Sequence, residues 1–319
     1  MRGTVFVVAT LAAAVSLAVI PHAAAQSGKA IKIVVPFAPG GGIDVVARVI
    51  AEQIGNLQGP TIIVENRPGA GTVIATEDVL RATPDGGTLL FNNNSFVVVP
   101  QFRKLNYNAL ADLTAVCEIA NTPTVVVVSN DSLYYSLDDL IAAARAKPDE
   151  LTFGAVPGAV LHIGFEMLQR GADVRMTLVP YTGTIPEVTA VLGGQINAAM
   201  VDYPAAAGQL QAGKLRALAI GAAARAEWLP NVPTMLELGF KDYVNLWYGI
   251  FAPAKTPPET VSRLADWFVK ALQATATKSR LLAQGVAPVG LCGAEFGAFV
   301  RKEYDAYGRV IRAANIKAE

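Results

Sequence analysis

Short β-branched runs alternate along this chain with longer segments in which apolar residues recur at three- and four-residue intervals. The first pattern predicts buried strands and the second amphipathic helices. Strands are expected at Ile31–Val35, Thr61–Glu65, Thr88–Phe91, Thr124–Val128, Leu151–Ala155, Arg175–Pro180, Ile196–Val201, Leu215–Ile220 and Tyr243–Phe251. After the first strand, Val45, Val46, Val49, Ile50 and Ile54 fall on one helical face, with Asp44 and Arg48 placed to pair across one turn. Ser136-Leu137-Asp138-Asp139 reads as a capped helix start. Thr256-Pro257-Pro258-Glu259 reads as another, with Thr256 as the cap. The C-terminal part reads as mostly helical.

Repeated strand–helix units predict an α/β fold, with mainly parallel sheets covered by helices on both faces. A mature chain of roughly 290 residues exceeds one typical core, which favours two domains. The segments at 124–128 and 243–251 read as strands crossing between two lobes. The expected division is lobe 1 from 26–126 and 251–319, and lobe 2 from 127–250.

The first residues change where this fold would operate. Arg2 precedes an uncharged apolar run from Phe6 to Ile20, and Ala23-Ala24-Ala25 offers small residues for cleavage before Gln26. That pattern is a secretory signal over 1–25, shorter than a membrane span usually needs. The mature protein is expected in a bacterial periplasm. Removing the signal removes His22, which leaves His162 as the single histidine.

Composition narrows the chemistry. Lys and Arg total 26 and Asp and Glu total 26, with no basic tract, so nucleic acid has no electrostatic footprint to bind. Clustered metal-ligand spacings and Cys-x-x-Cys are absent, so neither a metal nor a cofactor is expected. Cys117 and Cys292 are far apart and read as separate small buried residues, with a disulfide the alternative that export would permit. Gly-x-Ser-x-Gly, a phosphate loop ending in Gly-Lys-Ser/Thr, and Gly-x-Gly-x-x-Gly in the first βα turn are also missing. With one histidine, a Ser-His-Asp triad has little material, and the protein is expected not to be an enzyme.

The strongest candidate site is Val34-Val35-Pro36-Phe37-Ala38-Pro39-Gly40-Gly41-Gly42-Ile43-Asp44, a strand running through a triple-glycine loop onto a helix. Glycines allow close approach to main-chain N–H groups, and the helix start adds positive dipole, so the loop is suited to a small anion. A tight turn without a ligand is the alternative. Val179-Pro180-Tyr181 followed by Gly183 echoes Val35-Pro36-Phe37 followed by Gly40, and two such loops facing one cleft could hold two ends of a solute. Ser95 ends Asn92-Asn93-Asn94-Ser95, at the C-terminal end of a strand, where ligands of open α/β sheets collect.

Together these motifs resemble those of the extracytoplasmic solute receptors of tripartite tricarboxylate transporters, the Bug-type substrate-binding proteins. The resemblance runs over nearly the whole mature chain. It includes the loop above with Ala47-Arg48, Glu65-Asn66-Arg67-Pro68-Gly69-Ala70-Gly71, Pro84-Asp85-Gly86, Val179-Pro180-Tyr181-Thr182-Gly183 and Leu192-Gly193-Gly194-Gln195. It continues through Ala212-Gly213-Lys214-Leu215-Arg216-Ala217-Leu218-Ala219, Val232-Pro233-Thr234 and Trp247-Tyr248-Gly249. It implies a type II periplasmic-binding-protein fold, a monomer whose lobes close on a small mono- or dicarboxylate, aliphatic or aromatic, for delivery to a membrane permease.

By position, the resemblance assigns Phe37, Ala38, Pro39, Gly40, Gly41, Gly42, Asp44 and Ser95 to the first lobe's side of the site. Gly158, Ala159, His162, Tyr181, Gly183 and Asp202 would line the second. Ala159 stands where the family often has Ser, and Asn197 where it commonly has Asp, the latter expected to be structural. Asp44 either braces the loop with Arg48 or accepts from a ligand hydroxyl, ammonium or water. His162 is either structural or a ligand contact, Tyr181 either packs the loop or stacks on the solute, which the resemblance favours, and Trp247 and Tyr248 are expected to pack at the hinge or in the core. A sensor role in place of transport and an exported enzyme are the rival functions.

Overall fold

The computed structural model describes residues 30–313, so the expected signal segment lies outside the described residues. The strands are β1 (Ile31–Val35), β2 (Ile62–Asn66), β3 (Thr88–Asn93), β4 (Leu113–Ser129), β5 (Thr152–Ala155), β6 (Thr177–Pro180), β7 (Ala198–Asp202), β8 (Leu215–Gly221), β9 (Asn245–Pro253) and β10 (Ala287–Cys292). The helices are α1 (Gly42–Asn56), α2 (Val73–Leu80), α3 (Ser95–Val98), α4 (Ala109–Asp112), α5 (Leu137–Ala146), α6 (Val160–Ala172), α7 (Thr184–Leu192), α8 (Tyr203–Gln211), α9 (Pro258–Gln273), α10 (Thr275–Leu282) and α11 (Gly293–Ala313).

One strand belongs to both halves of the molecule. The N-terminal part of β4, up to Pro123, pairs with β9 on one side and β10 on the other. From Thr124 onward the same strand pairs with β7 and β8. The first half-sheet therefore runs β2-β1-β3-β9-β4-β10 and the second β6-β5-β7-β4-β8. In each, a parallel set (β1, β2, β3 or β5, β6, β7) meets antiparallel long strands, so the sheets are more mixed than the strand–helix repeat implies. The β9 ladder ends at the Pro123–Asn245 pair, and the Thr124 hydroxyl then donates to the Val244 carbonyl at 2.7 Å. The second crossing is thus the short segment leading into β9, not the strand itself, which starts at Asn245.

The alternation within Thr124–Val128 explains why this crossing is apolar on both faces. Val126 and Val128 join a core that runs from the first half through the hinge onto one face of the second half-sheet, with Leu140, Phe153 and Phe165, whereas Val125 and Val127 join a second core with Val188, Val191, Ala199 and Ile220. Helix α1 buries Ile43, Val46, Val49, Ile50 and Ile54 as its periodicity predicts, with Val45 half-buried. The Ser136 capping box forms with Asp139. At α9 the N-cap is Pro257, and the Thr256 hydroxyl is buried without a partner, so the expected Thr cap does not form.

The C-terminal part is mostly helical, as expected, with Ala287–Cys292 adding an edge strand to β4. That pairing sets Cys292 opposite Cys117, and the two form a disulfide rather than sitting apart as free thiols. No helix among the described residues is long and apolar enough to cross a membrane.

Candidate functional site

The C-terminal ends of β1 and β6 bring the two echoing loops face to face. The Ala38 N–H of the first loop donates to the Thr182 carbonyl of the second at 3.1 Å. Glycines let the backbones meet: a Cβ on Gly183 would lie 3.0 Å from the Ala38 nitrogen, and one on Gly41 would lie 3.0 Å from the Thr184 hydroxyl. The tightest contact is polar. Gly42 N–H, in the first turn of α1, donates to Asp202 Oδ2 at 2.6 Å across the seam.

Behind these contacts lies a small cavity of about 30 Å³. Phe37, Gly41, Gly42, Ser95, Ala159, Gly183 and Asp202, all expected site residues, line it. Helices α1 and α6 both begin at this cavity, from opposite halves. Their first-turn N–H groups have no intrahelical acceptors and present a positive dipole end. Ser95 serves the second helix: its hydroxyl accepts from Val160 N–H at 3.0 Å, while Asn93 Oδ1 holds the Ser95 N–H at 2.8 Å.

The other expected residues stand just outside. Pro39 and Gly40 are exposed at the loop tip, and Ala38 is half-buried in the seam. The Asp44 carboxylate is buried and fully engaged, accepting from Gly40 N–H, from both Arg48 Nε and Nη2, and from Asn66 Nδ2. Burial works to raise its pKa, but the hydrogen bonds from Arg48, Gly40 and Asn66 outweigh it and hold the group below its ordinary range. Asp44 therefore braces the glycine loop. His162 accepts from Gly158 N–H on Nδ1 at 3.0 Å, and burial pushes its pKa down to about 4, so it is a neutral loop cap. The Tyr181 ring packs over Gly154 of β5. Asn197 accepts from Thr152 N–H at 2.8 Å and ties β5 to the start of β7, as expected of a structural residue.

Among the lining residues outside the expected set are Tyr248 and Glu187. Tyr248 sits on β9 with its hydroxyl beside Asp202, whereas its neighbour Trp247 packs among Phe251, Phe296 and Phe299 as anticipated. Alternation along the strand separates the two. Glu187, in the first turn of α7, is fully buried, and neither carboxylate oxygen has a hydrogen-bond partner. Burial, then the neighbouring Asp202, pushes its pKa well up. Burial likewise raises Asp202, against the hydrogen bonds from Thr184 and Gly42. No Lys, Arg or His among the described residues lines the cavity.

A larger groove of about 560 Å³ runs past Phe96, Leu110, Thr114 and Arg301 on the first half. It lies away from the two facing loops, and its walls are mostly apolar. Among the described residues, no cluster of His, Cys, Asp or Glu is placed to hold a metal ion.

A family profile described as tripartite tricarboxylate transporter family receptor matches residues 46–316. The protein BugT of Bordetella pertussis is 34% identical over 292 residues, 90% of each chain. Among solved structures, the periplasmic binding protein BugD superposes with a TM-score of 0.87 at 27% identity, covering 91% of this chain and 99% of its own. The R. palustris protein Rpa4515, solved with adipate, gives 0.86 at 29%, covering 92% and 99%. MatC from Rhodopseudomonas palustris, with bound malate, gives 0.85 at 29%, covering 89% and 99%.

Proposed function

The chain belongs to the tripartite tricarboxylate transporter receptor family, and on that footing we propose that it holds a small organic carboxylate between two lobes and hands it to a membrane permease. The observation that carries this reading is that Gly42 N–H, at the head of α1, already grips a carboxylate, that of Asp202. A solute carboxylate offers the same oxygen acceptor to the same amide. The α6 N-terminus faces it from the other lobe, so backbone dipoles rather than cationic side chains would hold the solute. The adipate and malate carried by relatives support the solute class.

The cavity of about 30 Å³ is far below the several hundred cubic ångströms of ordinary ligand sites, so the lobes part to admit a solute. The hinge would be Pro123–Thr124 of β4 with the segment entering β9. Closure around the solute excludes water and strengthens each amide–carboxylate contact. Permease recognition would read the closed form. Export to the periplasm agrees with the N-terminal signal pattern and with a disulfide that persists in an oxidising compartment.

Thermal shift and calorimetry with a panel of mono- and dicarboxylates test the reading. At least one acid should raise the melting temperature at millimolar concentration, and a uniformly flat panel contradicts it. Loss of uptake on gene deletion is the expected outcome in cells. Loss of an induced response with uptake intact would point to a sensor instead.

A further inference from the structure

The cavity presents an electrostatic problem that a plain diacid would worsen. Glu187 and Asp202 both line it, both are buried, and neither has a basic partner among the lining residues. Thr184 and Gly42 donate towards Asp202, and Tyr248 sits beside it. Glu187 has no hydrogen-bond partner on either oxygen. The charged groups nearby are already committed or lie outside: Arg48 is bound to Asp44, and Arg103 rests over Gly158. His162 is neutral, with its Nδ1 occupied.

A buried carboxylate without a partner is costly and is expected to be paired or to carry a proton. An unpartnered acid at the cavity wall is accounted for by a partner that arrives with the solute. Resting on the receptor reading above, we propose that Glu187, with Asp202, forms a subsite for a protonated amine, so that the solute is a carboxylate that also bears an ammonium group. The amine would sit between the two acids while the carboxylate meets the helix N-termini. Charge is then matched at both ends of the solute.

Calorimetry on the purified protein tests this with three matched pairs differing in an amine: succinate and aspartate, adipate and its 2-amino derivative, and hexanoate and its terminal amino derivative. The aminated member of at least one pair should bind about tenfold more tightly or better, and Glu187→Gln should reduce that preference to roughly threefold or less. Equal affinities within every pair overturn the proposal and leave the carboxylate reading standing. So does a preference that survives both Glu187→Gln and Glu187→Ala. If no member of any pair binds and the wider carboxylate panel is also flat, the receptor reading fails first and this proposal with it.

Discussion

Gly42→Ala strikes the seam where the two lobes approach most closely. A Cβ there would lie well inside contact distance of Asp202 Oδ2 and 2.6 Å from the Tyr248 hydroxyl. Both neighbours are buried, at 4% and 1% exposure, so neither can swing into solvent while the seam is shut. Asp202 would have to leave the Gly42 N–H and give up the 2.6 Å hydrogen bond. A hydrogen bond to a charged group contributes about 1.5–3 kcal/mol, which corresponds to a roughly 10- to 150-fold fall in the closed population. Helix α1 itself should not suffer, because alanine favours helix over glycine. Small-angle X-ray scattering should report a larger radius of gyration for the variant, and calorimetry a carboxylate affinity weaker by about tenfold or more. Unchanged scattering together with unchanged affinity would refute the argument that this contact governs closure.

Removing the Cys117–Cys292 bridge, by Cys117→Ser with Cys292→Ser, releases a link across 175 residues. The chain-entropy relation puts its contribution at up to about 5 kcal/mol, so a fall of about 10 °C in melting temperature is expected, and a change within about 2 °C would contradict it. Glu187→Gln should stabilise the protein increasingly as pH rises. The folded-state pKa of Glu187 is raised, by burial and then by Asp202, so its contribution to stability is intact below the unfolded value and is lost as pH climbs through the folded one. The gap between wild type and variant should widen from pH 5 to pH 8, by at most about 1.4 kcal/mol per pH unit. His162, with its folded pKa lowered to about 4, acts in the opposite sense, losing stability as pH falls below its unfolded value, and cancels in that comparison. Parallel melting curves across the range would count against a buried, titrating Glu187.

The parts of the fold that read clearly are those where local pattern and tertiary role agree. β1, the glycine loop and α1 follow from a β-branched run, turn residues and a 3.6-residue stripe. β10 escaped because Ala287-Pro288-Val289-Gly290-Leu291-Cys292 carries a proline and a glycine, which an edge strand tolerates and a buried strand does not. The first half of β4 escaped because Glu118, Asn121 and Pro123 interrupt its apolar run. The disulfide depends on the β10–β4 register, a long-range pairing that no local window contains.

The site divides in the same way. Gly41, Gly42, Ser95 and Gly183 stand at strand ends or helix starts, where local pattern suggests a ligand-facing role, whereas Asp202 is a site residue only through the family resemblance. Tyr248 sits within an apolar strand and looks like core, and only the closing of Asp202 against it makes it a cavity wall. Glu187 in a first helical turn resembles an ordinary solvated acid that complements the dipole. Its burial arises from the packing of α7 against β4, β5, β7 and α8, long-range contacts that the sequence around it cannot reveal.

The most direct measurement is the amide resonance of Gly42 followed by NMR during titration with a carboxylate that calorimetry identifies as a ligand. Gly42 N–H should shift among the most strongly of all amides, saturating at the calorimetric dissociation constant as the solute oxygen replaces or joins Asp202. A ligand that binds while Gly42 and the first turn of α6 stay unmoved would contradict main-chain capture of the solute at the seam.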